Sequence, residues 1–202
     1  VIDACLLVVT VIAAAIALRY RTAPRLPLER FSTIVVIGDS ISAGIGVEDG
    51  DTWPRVLADE HRIKVIDLSR AGATTADALR RLPLDLPADS LVILEIGGND
   101  LISRVSSGKL SESLEALVAR VEGSGRQVVM FELPLFPLDN AYGIAQRRIA
   151  SAHGVQLIPR KHLVRVLASP DSTRDGIHLS TAGHKTMART VWDILGSSMK
   201  PQ

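Results

Sequence analysis

The chain has 202 residues and a formal net charge of +1, with 23 basic and 22 acidic side chains mixed along it, so no basic face advertises a nucleic-acid partner. Aromatic residues make up only 3%, which removes most candidates for platforms that stack bases or sugars. The lone Cys5 cannot form an internal bridge, and a core of this size needs no disulfide staple.

In chain order, the first element is apolar. Val1 to Leu18 carries only Asp3 and Thr10 as polar residues, and Arg19, Tyr20, Arg21 and Arg25 follow at once. At ~1.5 Å per residue, such a helix lies near the lower limit for crossing a hydrocarbon core of ~30 Å. An N-terminal transmembrane anchor over 1–18 is the expectation, placing the protein at a bacterial cell membrane with its membrane helix as the contact. A cleavable signal peptide, using Ala15-Ile16-Ala17 as its small-residue site, and a buried helix are the competing readings. The arginines would hold the following domain in the cytoplasm, and basic residues ahead of Val1 would reverse that, so the side stays open. Residues 19–32, with Pro24 and Pro27, read as a linker, and 33–202 as the globular domain.

From Thr33 onward, short β-branched runs alternate with helical patterns. Thr33–Ile37, Lys64–Leu68, Leu91–Ile96, Gln127–Glu132 and Val155–Ile158 read as strands, each a nearly continuous apolar run suited to a sheet covered on both faces. Helical patterns fall at about 53–61, 75–82, 111–122, 140–153 and 180–195. Thr52 ahead of Pro54 marks one helix start, and Ser180 or Thr181 another. Five strand–helix units predict an α/β, flavodoxin-like three-layer sandwich built on a five-stranded parallel sheet. In such sheets ligands bind outside the carboxyl ends of the strands, which is where Ser40, Gly72 and Asn99 fall.

Each of these residues has a bland reading and a chemical one. Ser40, three residues past the first strand in Gly38-Asp39-Ser40-Ile41-Ser42, is either a helix cap or a nucleophile whose hydroxyl leaves the sheet edge. The flanking residues are not a Gly-x-Ser-x-Gly elbow, because position 42 is Ser. A nucleophilic serine needs a base, and His178 is the best of five histidines because Asp175 lies three residues before it across Gly176, close enough to fix its tautomer. His61, His153, His162 and His184 read as helix-end or solvated residues. Asn99, in Gly97-Gly98-Asn99-Asp100, can offer a side-chain amide to an oxyanion, and the backbone amides of Gly72 and Ser40 can join it. Asp39 and Asp100 read as hydrogen-bonding supports.

Taken together, these islands resemble the signature blocks of the SGNH (GDSL-type) hydrolase superfamily over roughly residues 33 to 195. Its Ser, Gly, Asn and His would be Ser40, Gly72, Asn99 and His178, with Ile41 standing where the motif usually has Leu. Thr52-Trp53-Pro54, Gly97-Gly98-Asn99-Asp100 and Asp175-Gly176-Ile177-His178 look most like the bacterial acyl-thioesterase, lysophospholipase and arylesterase group. The resemblance implies a Ser40–His178–Asp175 triad, an acyl-enzyme, an acyl-ester or thioester substrate and no metal or organic cofactor. Leu135, Phe136 and Leu138, in a proline-rich apolar stretch after the fourth strand, are expected either to line the acyl chain's path or to fold over the core. A glycan deacetylase or acetyltransferase using the same five residues, and a catalytically silent membrane scaffold, remain open beside the esterase reading.

Overall fold

The computed structural model describes residues 26–134 and 140–199. Its centre is one all-parallel sheet of β1 (Thr33–Gly38), β2 (Lys64–Asp67), β3 (Ser90–Glu95), β4 (Gln127–Phe131) and β5 (Gln156–Ile158), in the order β2-β1-β3-β4-β5. β1 and β3 are buried at every position, as strands covered on both faces must be, whereas the edge strand β2 is partly exposed. The chain steps outward from β1 to β2 and returns past β1 to β3. Strand order therefore reverses between β1 and β3, where Gly38 and Glu95 pair as the last residues of the two strands, and a crevice opens there.

The helices are α1 (Ser40–Ala43), α2 (Trp53–His61), α3 (Thr75–Arg81), α4 (Gly98–Ile102), α5 (Ser107–Val121), α6 (Asn140–His153), α7 (Lys161–Leu167) and α8 (Thr181–Leu195). Because successive strand residues point to opposite faces, the core divides in two. Ile34, Val36, Leu91 and Ile93 pack with Trp53, Leu57, Met187 and Val191 of α2 and α8. Val35, Ile37, Val92 and Leu94 pack with Leu114, Leu117 and Ile149 of α5 and α6.

The five strands lie where the apolar runs place them. Two helices, α4 and α7, have no counterpart in the sequence reading, and α5 begins at Ser107 because the Ser106 side chain accepts from the Lys109 amide at 3.3 Å. Packing also reaches back into the expected linker. Leu26 and Leu28 lie against the core, and Phe31 is fully buried with its amide donating to Ser198 O at 3.2 Å. The expected anchor, 1–18, the first part of the linker, and Leu135, Phe136 and Leu138 lie outside the described residues. Among the described residues, no helix is long and apolar enough to cross a membrane.

Candidate active site

The turn after β1 is built around Ser40. Asp39 caps α1 by accepting from the Ile41 amide at 3.0 Å, so Ser40 becomes the first helical residue rather than the cap. Gly38 fits because a Cβ there would meet the Ser42 hydroxyl at 2.5 Å and the Ser69 hydroxyl at 2.9 Å. Ser42 then holds the turn from beneath. Its hydroxyl donates to Glu95 Oε2 at 2.8 Å and accepts from the Trp53 indole at 3.1 Å, and the Trp53 amide donates to His184 Nδ1 at 3.0 Å. Every member of this chain is buried, so the bonded polar atoms depend on one another, while His184 Nε2 has no hydrogen-bond partner.

The candidate oxyanion donors are likewise tied together. Gly72 sits at φ +75°, a left-handed conformation that a side chain would strain, and nothing lies within 4 Å of where a Cβ would be. Asn99 is on α4, and its Nδ2 donates to Ala73 O at 3.1 Å, which joins it to the Gly72 loop and leaves its second N–H for a ligand. Asp100 fixes α4 itself: buried, it accepts from the Thr75 amide and hydroxyl, each at 2.8 Å.

Asp175 and His178 form a local pair on the segment before α8. Asp175 Oδ2 lies 2.6 Å from His178 Nδ1, while Oδ1 accepts from the Ile177 and His178 amides at 3.0 and 2.8 Å. Those bonds, the imidazole's first, hold the Asp175 carboxyl below the usual carboxylate range although it is exposed to solvent. Oriented by Asp175 through Nδ1, the ring keeps Nε2 for a proton acceptor's work. The segment is tied to the Ser40 side of the crevice by a hydrogen bond from the Arg174 guanidinium to Gly46 O. His178 also acts through space on Asp39, the neighbour of Ser40, favouring its ionised form.

Two buried acids lie under this edge. Burial pushes the Asp39 carboxyl up to about 6, opposed by the Ile41 amide bond and by His178. Burial also pushes Glu95, only 4% exposed, well above the ordinary glutamate value, with the nearby Asp39 charge acting in the same direction. Glu95 continues the inward series of Leu91 and Ile93, so an acid occupies a core-facing position where an aliphatic residue would be ordinary.

Beside the crevice is a cavity of about 480 Å³, bounded by Asp39, Glu95 and Gly98 at one end and Ile177 at another. Its walls are apolar: Leu101 and Ile102 of α4, Leu133 and Pro134 after β4, and Leu163 and Leu167 of α7. Ile102 and Ile177 remain 66% and 48% exposed at its margin. The sequence reading looked for an apolar wall just after the fourth strand. Among the described residues, Leu133 and Pro134 from that stretch line the cavity together with residues of α4 and α7, which the sequence analysis does not anticipate. Their signal was present as apolar residues at helical spacing in Leu163, Val166 and Leu167, masked by Lys161 and Arg165.

Two histidines depart from their expected surface placement. His184 is fully buried because it accepts from the Trp53 amide, and burial lowers it to about 4. His162 is buried on α7 and is lowered to about 4, by burial first and then by Lys161 and Arg165. His153 lies against Glu122 at 3.0 Å, and His61 stacks on Trp192 with ring centroids 3.6 Å apart.

A parallel α/β sheet with a serine, amide donors and a His–Asp pair at one carboxyl edge is the layout of an SGNH-type carboxylic ester hydrolase. The family model described as "GDSL-like Lipase/Acylhydrolase family" matches residues 36–186, and the chain belongs to that family. It is similar to the esterase TesA of Pseudomonas aeruginosa, at 28% identity over 177 residues, 81% of this chain and 87% of that one. It is similar to an arylesterase of Vibrio mimicus, at 33% identity over 159 residues, 72% of this chain and 78% of that one. Among solved structures, the psychrotrophic esterase EstA from Pseudoalteromonas sp. shares the fold with a TM-score of 0.73 and 20% identity, covering 82% of this chain and 97% of that one.

Proposed function

We propose that the chain hydrolyses acyl esters or thioesters through a Ser40 acyl-enzyme, with the acyl chain in the apolar cavity. The observation that carries this reading is the Asp175–His178 pair, with its 2.6 Å contact, on a segment bonded across to the loop that follows Ser40. Ser40 Oγ attacks the acyl carbon as His178 Nε2 takes its proton, and Asp175 stabilises the imidazolium. The negative charge on the carbonyl oxygen is met by the amides of Ser40 and Gly72 and by Asn99 Nδ2. Collapse breaks the bond to the alcohol or thiol, which leaves with the proton from His178. A water then gives one proton to His178 as it attacks the acyl-serine, the bond to Ser40 Oγ breaks, Oγ takes that proton back from His178, and the acid leaves.

The cavity supports acyl rather than glycan chemistry. Its walls of Leu, Ile and Pro match a hydrocarbon chain, and a volume of about 480 Å³ exceeds the needs of an acetyl group. The apolar run over 1–18, an 18-residue span, supports tethering of the 33–202 domain at a membrane, where lipid-like esters are concentrated. Ser40→Ala is expected to abolish turnover of p-nitrophenyl esters from acetate to decanoate. Wild-type kcat/KM should rise with chain length. Unchanged hydrolysis by the Ser40→Ala protein would overturn the mechanism, and a strict preference for acetate would overturn the assignment of the cavity.

A further inference from the structure

A second cavity of different chemistry has Gly72 in its lining and shares no residue with the apolar one. It measures about 370 Å³ and is floored by Ala71, Gly72 and Ala73, with Arg70, Arg80, Arg81 and Asp77 around it. Three arginines and one carboxylate thus share its lining. That carboxylate is already engaged: Asp77 Oδ2 accepts from the Thr74 amide at 3.1 Å and the Thr74 hydroxyl at 2.6 Å, and Oδ1 pairs with Arg80. Arg81 donates Nε to the Asp77 backbone oxygen at 3.3 Å, which directs the rest of its fork away from that bond. Among the described residues, neither Arg70 nor Arg81 lies within 4.0 Å of a carboxylate, although the Arg81 charge helps hold Asp77 ionised. Ala71, Gly72 and Ala73 carry no side chain larger than a methyl group, and nothing lies within 4 Å of where a Gly72 Cβ would be.

We propose that this cavity is a subsite for a phosphate-bearing leaving group, held chiefly by Arg70 and Arg81 with Arg80 completing the positive rim. The proposal rests on the acyl-hydrolase reading and names the half of the substrate that reading leaves open. The acyl half occupies the apolar cavity beyond Asp39 and Gly98, and the alcohol or thiol half extends over Gly72 into this one. Guanidinium forks recognise phosphate bidentately, and here they are adjacent to a candidate oxyanion donor. Two sources supply that chemistry, the headgroup phosphate of a lysophospholipid and the phosphates of a coenzyme A thioester. In both, the scissile C–O or C–S bond breaks, and the phosphate-bearing alcohol or thiol departs with one proton.

The test uses the full chain and its Arg70→Gln/Arg81→Gln variant with three substrates of one acyl length: a p-nitrophenyl ester, a lysophosphatidylglycerol and an acyl coenzyme A. The ratio of kcat/KM for a phosphate-bearing substrate to that for the neutral ester is expected to fall about tenfold in the variant, the weight of one or two charge-assisted contacts. The same ratio should fall with added salt in the wild type more than in the variant. Which of the two phosphate substrates loses more identifies the source. A second arm titrates free coenzyme A and glycerol 3-phosphate into both proteins, with weaker binding by the variant expected. Unchanged ratios together with unchanged binding overturn the subsite. An equal loss on all three substrates overturns it too, because the arginines would then support the fold or the chemistry generally. Absence of any turnover by the wild type, with binding that still depends on the arginines, overturns the hydrolase reading and upholds the subsite.

Discussion

The Asp175–His178 pair and the Asp39–Glu95 pair lie at the same sheet edge and answer opposite physical demands. Asp175 is exposed, accepts three hydrogen bonds and is held below its ordinary range, so it stays charged beside His178. Asp39 and Glu95 are buried and pushed upward by desolvation, and Glu95 makes its side-chain contact with a neutral hydroxyl. An acid that must stabilise a transient imidazolium has to be ionised, whereas an acid used to brace a buried turn is better kept neutral. Removing the first should therefore damage chemistry with little effect on folding, and removing the second should do the reverse.

The largest expected effect tests the exposed member. Asp175→Ala should lower kcat by about 10⁴, the scale of losing the orienting acid of a triad, with the melting temperature nearly unchanged. A large drop in melting temperature with kcat retained would reverse the roles of the two pairs. Next comes Glu95→Ala, which leaves the Ser42 hydroxyl without its acceptor, while the Trp53 indole keeps Ser42 Oγ as its own. Leaving such a buried group unsatisfied costs about 1–3 kcal/mol. Glu95→Gln retains the acceptor for Ser42 and should recover most of that stability, as measured by denaturant unfolding. If Gln is as damaging as Ala, a charged Glu95 is required and the contrast between the pairs fails.

The smallest effect is in the pH dependence of stability. Asp39 has a folded value of about 6 against an ordinary 3.8, so the stability it contributes is complete below about pH 3.8 and is lost as pH rises to about 6. Asp175 has the opposite sign, and exposure to solvent keeps its contribution small: it is present above the ordinary value and is lost as pH falls below it. Asp39→Asn keeps an acceptor for the Ile41 amide and should flatten the decline in melting temperature between pH 3.8 and 6 by a few degrees. An undiminished decline would place its origin elsewhere, with Glu95 the first candidate.

Much of this edge was legible because its groups are local. Asp175 and His178 are three residues apart, and the strands announce themselves as unbroken β-branched runs that only a doubly covered sheet accommodates. What escaped reading depends on distant partners. Trp53 and His184 are 131 residues apart, so nothing near His184 distinguishes a buried acceptor from a surface imidazole. α4 has five residues and begins at two glycines, a composition that reads as a turn until Asp100 is seen to anchor it to Thr75. Glu95 differs, because its signal is local and yet it passes unremarked within the apolar run Leu91–Ile96. It follows Leu91 and Ile93 at strand spacing, and an acid in that series marks a buried polar network.

The assignment of Ser40 as nucleophile is tested by fluorophosphonate labelling of the intact protein followed by peptide mass spectrometry. One equivalent of adduct is expected, on Ser40, with none on the Ser40→Ala protein and slower labelling after Asp175→Ala. An adduct on another residue, or equal labelling of the Ser40→Ala protein, would contradict it.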